Sequence, residues 1–105
     1  MKIIVADDHT LFREGVRHIL ADLGRDVLVL EAGDHAQTLA LLVAHPDADL
    51  AIVDLKMPGM DGVETLREIK RLKPLIEVIM LTGHASVESG IEGMKLGAFD
   101  YLMKP

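Results

Sequence analysis

Five short runs of uninterrupted apolar residues, separated by longer amphipathic stretches, constrain this chain more than any other feature. The runs are Lys2-Ile-Ile-Val-Ala6, Val27-Leu-Val-Leu30, Leu50-Ala-Ile-Val53, Val78-Ile-Met-Leu81 and Tyr101-Leu-Met103. A strand with one face in water alternates apolar and polar residues, whereas a continuous run fits a strand buried on both faces, as in a parallel sheet. The intervening stretches carry helical spacing. Phe12, Val16, Ile19, Leu20 and Leu23 form one stripe, with Gly24 placed as its C-terminal stop. Asp34 is positioned to cap a second helix, which carries Leu39, Leu42 and Val43 and ends near His45-Pro46. Val63, Leu66, Ile69 and Leu72 line a third, closed by Pro74. A fourth, from about Ser86 to Leu96, has Val87, Ile91 and Met94 as its stripe. It also contains Gly90 and Gly93, each costing about 1 kcal/mol relative to alanine, so this helix is intrinsically weak.

The order β-α-β-α-β-α-β-α-β predicts a doubly wound α/β sheet, one domain over residues 1–105 that ends after strand five. Such a sheet ordinarily closes with a helix after its last strand. Its absence predicts a bare apolar face over parts of strands one, three, four and five, and self-association through that face.

Open α/β sheets bind their ligands outside the carboxyl ends of the strands. Strand one ends in Asp7-Asp8, strand three in Asp54, strand four in Thr82-Gly83 and strand five in Lys104-Pro105. Taken singly, each has an ordinary explanation: an aspartate at a strand end forms a loop or caps a helix, and a lysine there is solvated. Together they bring three carboxylates, a hydroxyl and an ammonium to one edge. Neighbouring carboxylates stay ionised together only beside a compensating cation. Oxygen donors with spare positions suit a hard ion such as Mg²⁺. A divalent ion, a lysine and a threonine around one aspartate make a site for a phosphoryl group, with Asp54 as nucleophile.

Composition removes other classes. Seventeen acids against eleven bases give a net charge of −6, which argues against a nucleic-acid surface on this domain. With no cysteine there is no disulfide, iron–sulfur ligand or thiol nucleophile. No apolar run approaches the roughly 18 residues of a membrane span, and no signal-peptide core opens the chain, so the expected address is the cytoplasm. His9, His18, His35, His45 and His84 share no metal-ligand spacing and read as surface histidines. The six methionines read as core and turn filler.

The motifs Val5-Ala-Asp-Asp8, Asp54-Leu-Lys-Met-Pro-Gly-Met-Asp-Gly62, Leu81-Thr-Gly83 and Gly97-Ala-Phe-Asp-Tyr-Leu-Met-Lys-Pro105 together resemble the receiver domain of two-component response regulators, over nearly its whole length. The resemblance implies a flavodoxin-like fold with strand order 2-1-3-4-5, lacking the final helix. It implies Asp54 as phosphoacceptor, and a Mg²⁺ ion held by Asp7, Asp8, Asp54 and the backbone carbonyl of Lys56. It further implies a Thr82 hydroxyl that follows the phosphoryl group, Tyr101 as an aromatic switch, and Lys104 on the phosphoryl oxygens, aimed by a cis bond to Pro105. The implied partner is a sensor histidine kinase. The domain would catalyse only its own phosphorylation and dephosphorylation, so it is not an enzyme in the usual sense. Ala6–Gly15 resembles regulators carrying a LuxR-type DNA-binding domain, and Leu81–Gly90 those of the nitrogen-regulation class; natural drift and an engineered chimera both produce such a pattern. Either half implies transcriptional output from a parent protein, while nothing in this domain itself contacts DNA.

Two other classes compete with this reading. An aspartate-nucleophile phosphatase of the haloacid dehalogenase type requires an acid two residues after the nucleophile, where this chain has Lys56. A receiver-like module kept for interaction or dimerisation, without phosphorylation, stays open. Its contact would run through the bare face or through helix four and strand five.

Overall fold

The computed structural model describes residues 1–57, 59, 62–82, 91 and 94–103. Its elements are β1 (Lys2–Ala6), α1 (Thr10–Ala21), β2 (Leu28–Ala32), α2 (His35–Ala44), β3 (Leu50–Asp54), α3 (Gly62–Leu72), β4 (Glu77–Thr82) and β5 (Asp100–Met103). The five strands form one parallel sheet in the order β2-β1-β3-β4-β5, the flavodoxin-like arrangement. β1 and β3 are central, and four of the five residues in each are buried, as continuous apolar runs require.

The alternation of side chains along a strand gives the sheet two unequal faces. On one, Ile4, Ala6, Ala51, Val53, Val78 and Met80 pack against Leu42 of α2 and Leu66 and Ile69 of α3. On the other, the buried set among the described residues is Ile3, Val5, Ile52 and Leu81, against which α1 lays Phe12, Val16 and Leu20. α1 has no buried residue at all. An open apolar groove of about 330 Å³ runs between α1 and the β4–β5 edge, lined in part by Phe12, Ile52, Ile79, Leu81, Leu102 and Met103. Among the described residues the expected bare face is exposed only at β5, through Leu102 and Met103, because Ile52 of β3 and Leu81 of β4 are buried in the cluster that α1 joins. It is not bare over β1, where α1 shields Ile3 and Val5.

Several boundaries and stripes differ from expectation. α1 ends at Ala21 with Asp22 as C-cap, ahead of Gly24, and Ile19 and Leu23 are exposed because nothing described packs on that side of α1. β2 begins at Leu28 and runs on to Ala32 through Glu31, since ladder pairing is made by backbone and the Glu31 carboxylate turns aside to Arg13 and Arg17. Asp34 caps α2 as expected, accepting from the Gln37 N–H at 2.7 Å. The buried stripe of α2 is Thr38 and Leu42, while Val43 is exposed. The fourth helix lies largely outside the described residues, including Val87, Gly90 and Gly93; of its stripe, Ile91 and Met94 are helical and exposed. No helix among the described residues is long and apolar enough to cross a membrane.

Candidate functional site

Register brings the acidic residues together. Ala6 pairs with Val53, so Asp7, the next residue, emerges beside Asp54 at the carboxyl edge of the two central strands. Asp7 is completely buried and Asp54 nearly so, whereas Asp8 and His9 are exposed at the mouth. One donor atom from each of Asp7, Asp8, His9 and Asp54 lies within 4.8 Å of all the others.

Two Asx-type turns fix the carboxylates. Asp7 Oδ1 accepts the backbone N–H of His9 at 2.8 Å, and Asp54 Oδ1 accepts that of Lys56 at 3.0 Å. Each strand-ending aspartate thus does the ordinary loop work of its residue type and still offers oxygen to the shared pocket. The Arg13 guanidinium donates to the Asp7 carbonyl oxygen at 2.6 Å and to Glu31 at 3.2 Å, so the acidic turn is tied to both α1 and β2. On the far side of β3, the Leu55 N–H donates to the Leu81 carbonyl and the Gly62 N–H to the Leu55 carbonyl at 2.7 Å. A side chain at Gly62 would overlap the Leu55 backbone, so the start of α3 presses directly on the loop that follows Asp54.

Of the other expected site residues, Thr82 ends β4, one residue past the Leu81 that pairs with Asp54, and its side chain is buried. Tyr101 pairs with Met80 and is half-buried against the α2–α3 core. The Lys56 side chain points to solvent. Lys104 and Pro105, with the expected cis bond, lie outside the described residues.

The residue that sequence reasoning missed is His9. Its Nδ1 lies 3.0 Å from Asp7 Oδ1 and 3.1 Å from Asp8 Oδ1, inside the acidic cluster. Spacing among the five histidines was the wrong signal; adjacency to an Asp-Asp pair at a strand end was the right one. Unlike the exposed His9, His35 and His45 are half-buried, with His35 Nδ1 3.1 Å from Thr65 Oγ1 and His45 Nδ1 3.3 Å from Lys2 Nζ.

A donor set dominated by carboxylate oxygen fits a hard divalent ion such as Mg²⁺. An acidic pocket at the end of a central parallel strand, on a 2-1-3-4-5 sheet, matches the arrangement that the receiver resemblance implies. The model of the response regulator receiver domain matches residues 3–105, and the chain belongs to that family. It is 38% identical over 103 residues to the transcriptional regulatory protein ZraR of Escherichia coli K12, covering 98% of this chain and 23% of that protein. It is 37% identical over 101 residues to the DNA-binding transcriptional regulator NtrC of Salmonella typhimurium, covering 96% of this chain and 21% of that one. The chain thus spans under a quarter of the length of these two relatives. A receiver domain structure from Clostridium thermocellum superposes with a TM-score of 0.92 at 38% identity, covering 99% of this chain and 82% of that one.

Proposed function

We propose that this chain is a phosphorylation-dependent switch in which Asp54 accepts a phosphoryl group from a histidine kinase. The observation that carries this reading is the convergence of buried Asp54 with Asp7, Asp8 and His9 within 4.8 Å at the carboxyl edge of β3. Asp54 supplies a carboxylate oxygen that attacks the phosphorus of a phosphohistidine. The new P–O bond forms as the P–N bond breaks, and the departing imidazole takes up a proton. Asp7, Asp8, Asp54 and the Lys56 carbonyl would hold Mg²⁺, which when bound neutralises charge on the transferring oxygens. The turn at Asp54 and Lys56 keeps the attacking carboxylate oriented, which lowers the entropic part of the barrier. Hydrolysis reverses the state: water attacks phosphorus, and the Asp54 carboxylate leaves with phosphate as product.

Signal output is assigned to Thr82, Lys104 and Tyr101. The Thr82 hydroxyl meets the phosphoryl group, Lys104 supplies the second cation, and Tyr101 moves with Thr82. A coupling of about 1–3 kcal/mol between phosphorylation and helix four is enough for a useful switch. Its context is a cytoplasmic transcriptional regulator, in keeping with the ZraR and NtrC relatives. The test is intact mass after incubation with a small phosphodonor and Mg²⁺. One phosphoryl adduct, dependent on Mg²⁺ and missing from Asp54→Asn, is expected. No adduct on folded protein refutes the proposal.

A second reading, a module that pairs with another copy of itself, is favoured by the apolar groove beside α1. Leu102, Met103 and Ile19 on its rim are each more than half exposed, and contiguous apolar surface of this kind marks interaction sites. Sedimentation should then show a concentration-dependent dimer that Leu102→Glu abolishes. A monomer at all concentrations removes this reading.

A further inference from the structure

We propose that His9 is a nitrogen ligand to the ion in the acidic pocket, and that it turns the pocket's preference away from Mg²⁺ toward divalent ions of the first transition series. The inference rests on the pocket being a divalent-ion site, as proposed above. Its ground is the spacing of the donor atoms. His9 Nδ1 stands 3.0 Å from Asp7 Oδ1 and 3.1 Å from Asp8 Oδ1. Two ligands each about 2.1 Å from one ion, at right angles to each other, lie about 3.0 Å apart, and two on opposite sides about 4.2 Å apart. The separations around His9 are those of adjacent vertices of a coordination shell, and the hydrogen bond between Nδ1 and Asp7 Oδ1 already holds the ring where an ion would take the place of the shared proton. The full set of four donors spans up to 4.8 Å, somewhat wider than such a shell, so an ion would draw the outermost donors inward.

The turn enforces this placement. The His9 backbone N–H is held by Asp7 Oδ1 at 2.8 Å, so the ring leaves the chain directly over the two carboxylates. Its side chain is 66% exposed, whereas that of Asp7 is fully enclosed, so an ion can reach the imidazole without opening the core. An all-oxygen pocket favours hard ions. A neutral imidazole adds little for Mg²⁺, but its contribution grows along the series Mn²⁺, Fe²⁺, Co²⁺, Ni²⁺. The chain's own residues therefore make a mixed oxygen–nitrogen site out of one that carboxylates alone would leave to Mg²⁺.

The test uses Co²⁺ and Mg²⁺ on the wild-type chain, His9→Ala and His9→Gln. His9 is the N-cap of α1 but makes no side-chain capping bond, so neither substitution removes a helix cap. Calorimetry gives the ratio of Co²⁺ to Mg²⁺ affinity, which should fall at least about fivefold in both variants. Proton NMR of the Co²⁺ form should show one exchangeable imidazole N–H shifted far downfield, absent from both variants. A ratio that changes by less than about twofold, no shifted N–H in the wild type, or one that persists in His9→Ala each overturns the role of His9. If both ions bind and only the ratio is unaltered, the metal-site reading stands and the His9 inference falls. If neither ion binds, both fall.

Discussion

Replacing Asp54 with asparagine should make the protein more stable while abolishing its phosphorylation. Asp54 and Asp7 are buried carboxylates, and their donor oxygens lie within 4.8 Å of each other. Two unit charges at that distance repel by about 3 kcal/mol at an effective dielectric constant of about 20. Salt, the exposure of Asp8 and the imidazole of His9 reduce what reaches the folding equilibrium, leaving about 1–2 kcal/mol. Asparagine keeps an oxygen to accept the Lys56 N–H, so the turn after β3 survives the change. For a domain near 100 residues, this corresponds to a melting temperature about 5–10 °C higher. The assay is thermal unfolding by circular dichroism with a chelator present, repeated with Mg²⁺. Because a ligand that binds only the native state stabilises it, Mg²⁺ should raise the wild type more than the variant and narrow the gap. A variant that melts at or below the wild-type temperature in chelator would refute the view that this pocket stores repulsion.

Three further outcomes follow from the packing. Leu66→Ala removes a fully buried side chain from the interface of α3 with the sheet and should cost about 2–5 kcal/mol, read by urea unfolding. Gly62→Ala forces a methyl group onto the Leu55 backbone and should destabilise by about 1–3 kcal/mol, although alanine is the better helix former; a neutral or stabilising result on denaturation would contradict the contact described. The Lys2 ammonium, hydrogen-bonded to Asp47, holds that carboxyl below its ordinary value. Its contribution is complete above the ordinary carboxylate range and lost as the pH falls through the lowered value. The melting-temperature difference between wild type and Asp47→Asn should therefore be constant near neutrality and vanish in acid.

How much of this was legible beforehand varies by element. The uninterrupted apolar runs located all five strands, because burial on both faces leaves a signature that needs no partner information. The apolar run stops short of the true end of β2, since Glu31 breaks it although the backbone continues the ladder to Ala32. Periodicity drew Ile19 and Leu23 into the stripe of α1, but it carries no information on whether anything packs there, and both are exposed. The carboxylates were legible because parallel strands all deliver their last residues to one edge. The involvement of His9 was not, because it follows from the turn geometry after Asp7 rather than from histidine spacing. Nor was the constraint at Gly62, which comes from a helix start pressed on a loop seven residues back.

The central claim is that Asp54 alone carries the phosphoryl group. Borohydride converts an aspartyl phosphate to homoserine, so phosphorylation with a small donor and Mg²⁺, reduction, proteolysis and sequencing by mass spectrometry reads the acceptor directly. Homoserine at position 54, and nowhere else, is the predicted result. Homoserine at position 7 or 8, or at no position in folded protein, would contradict it.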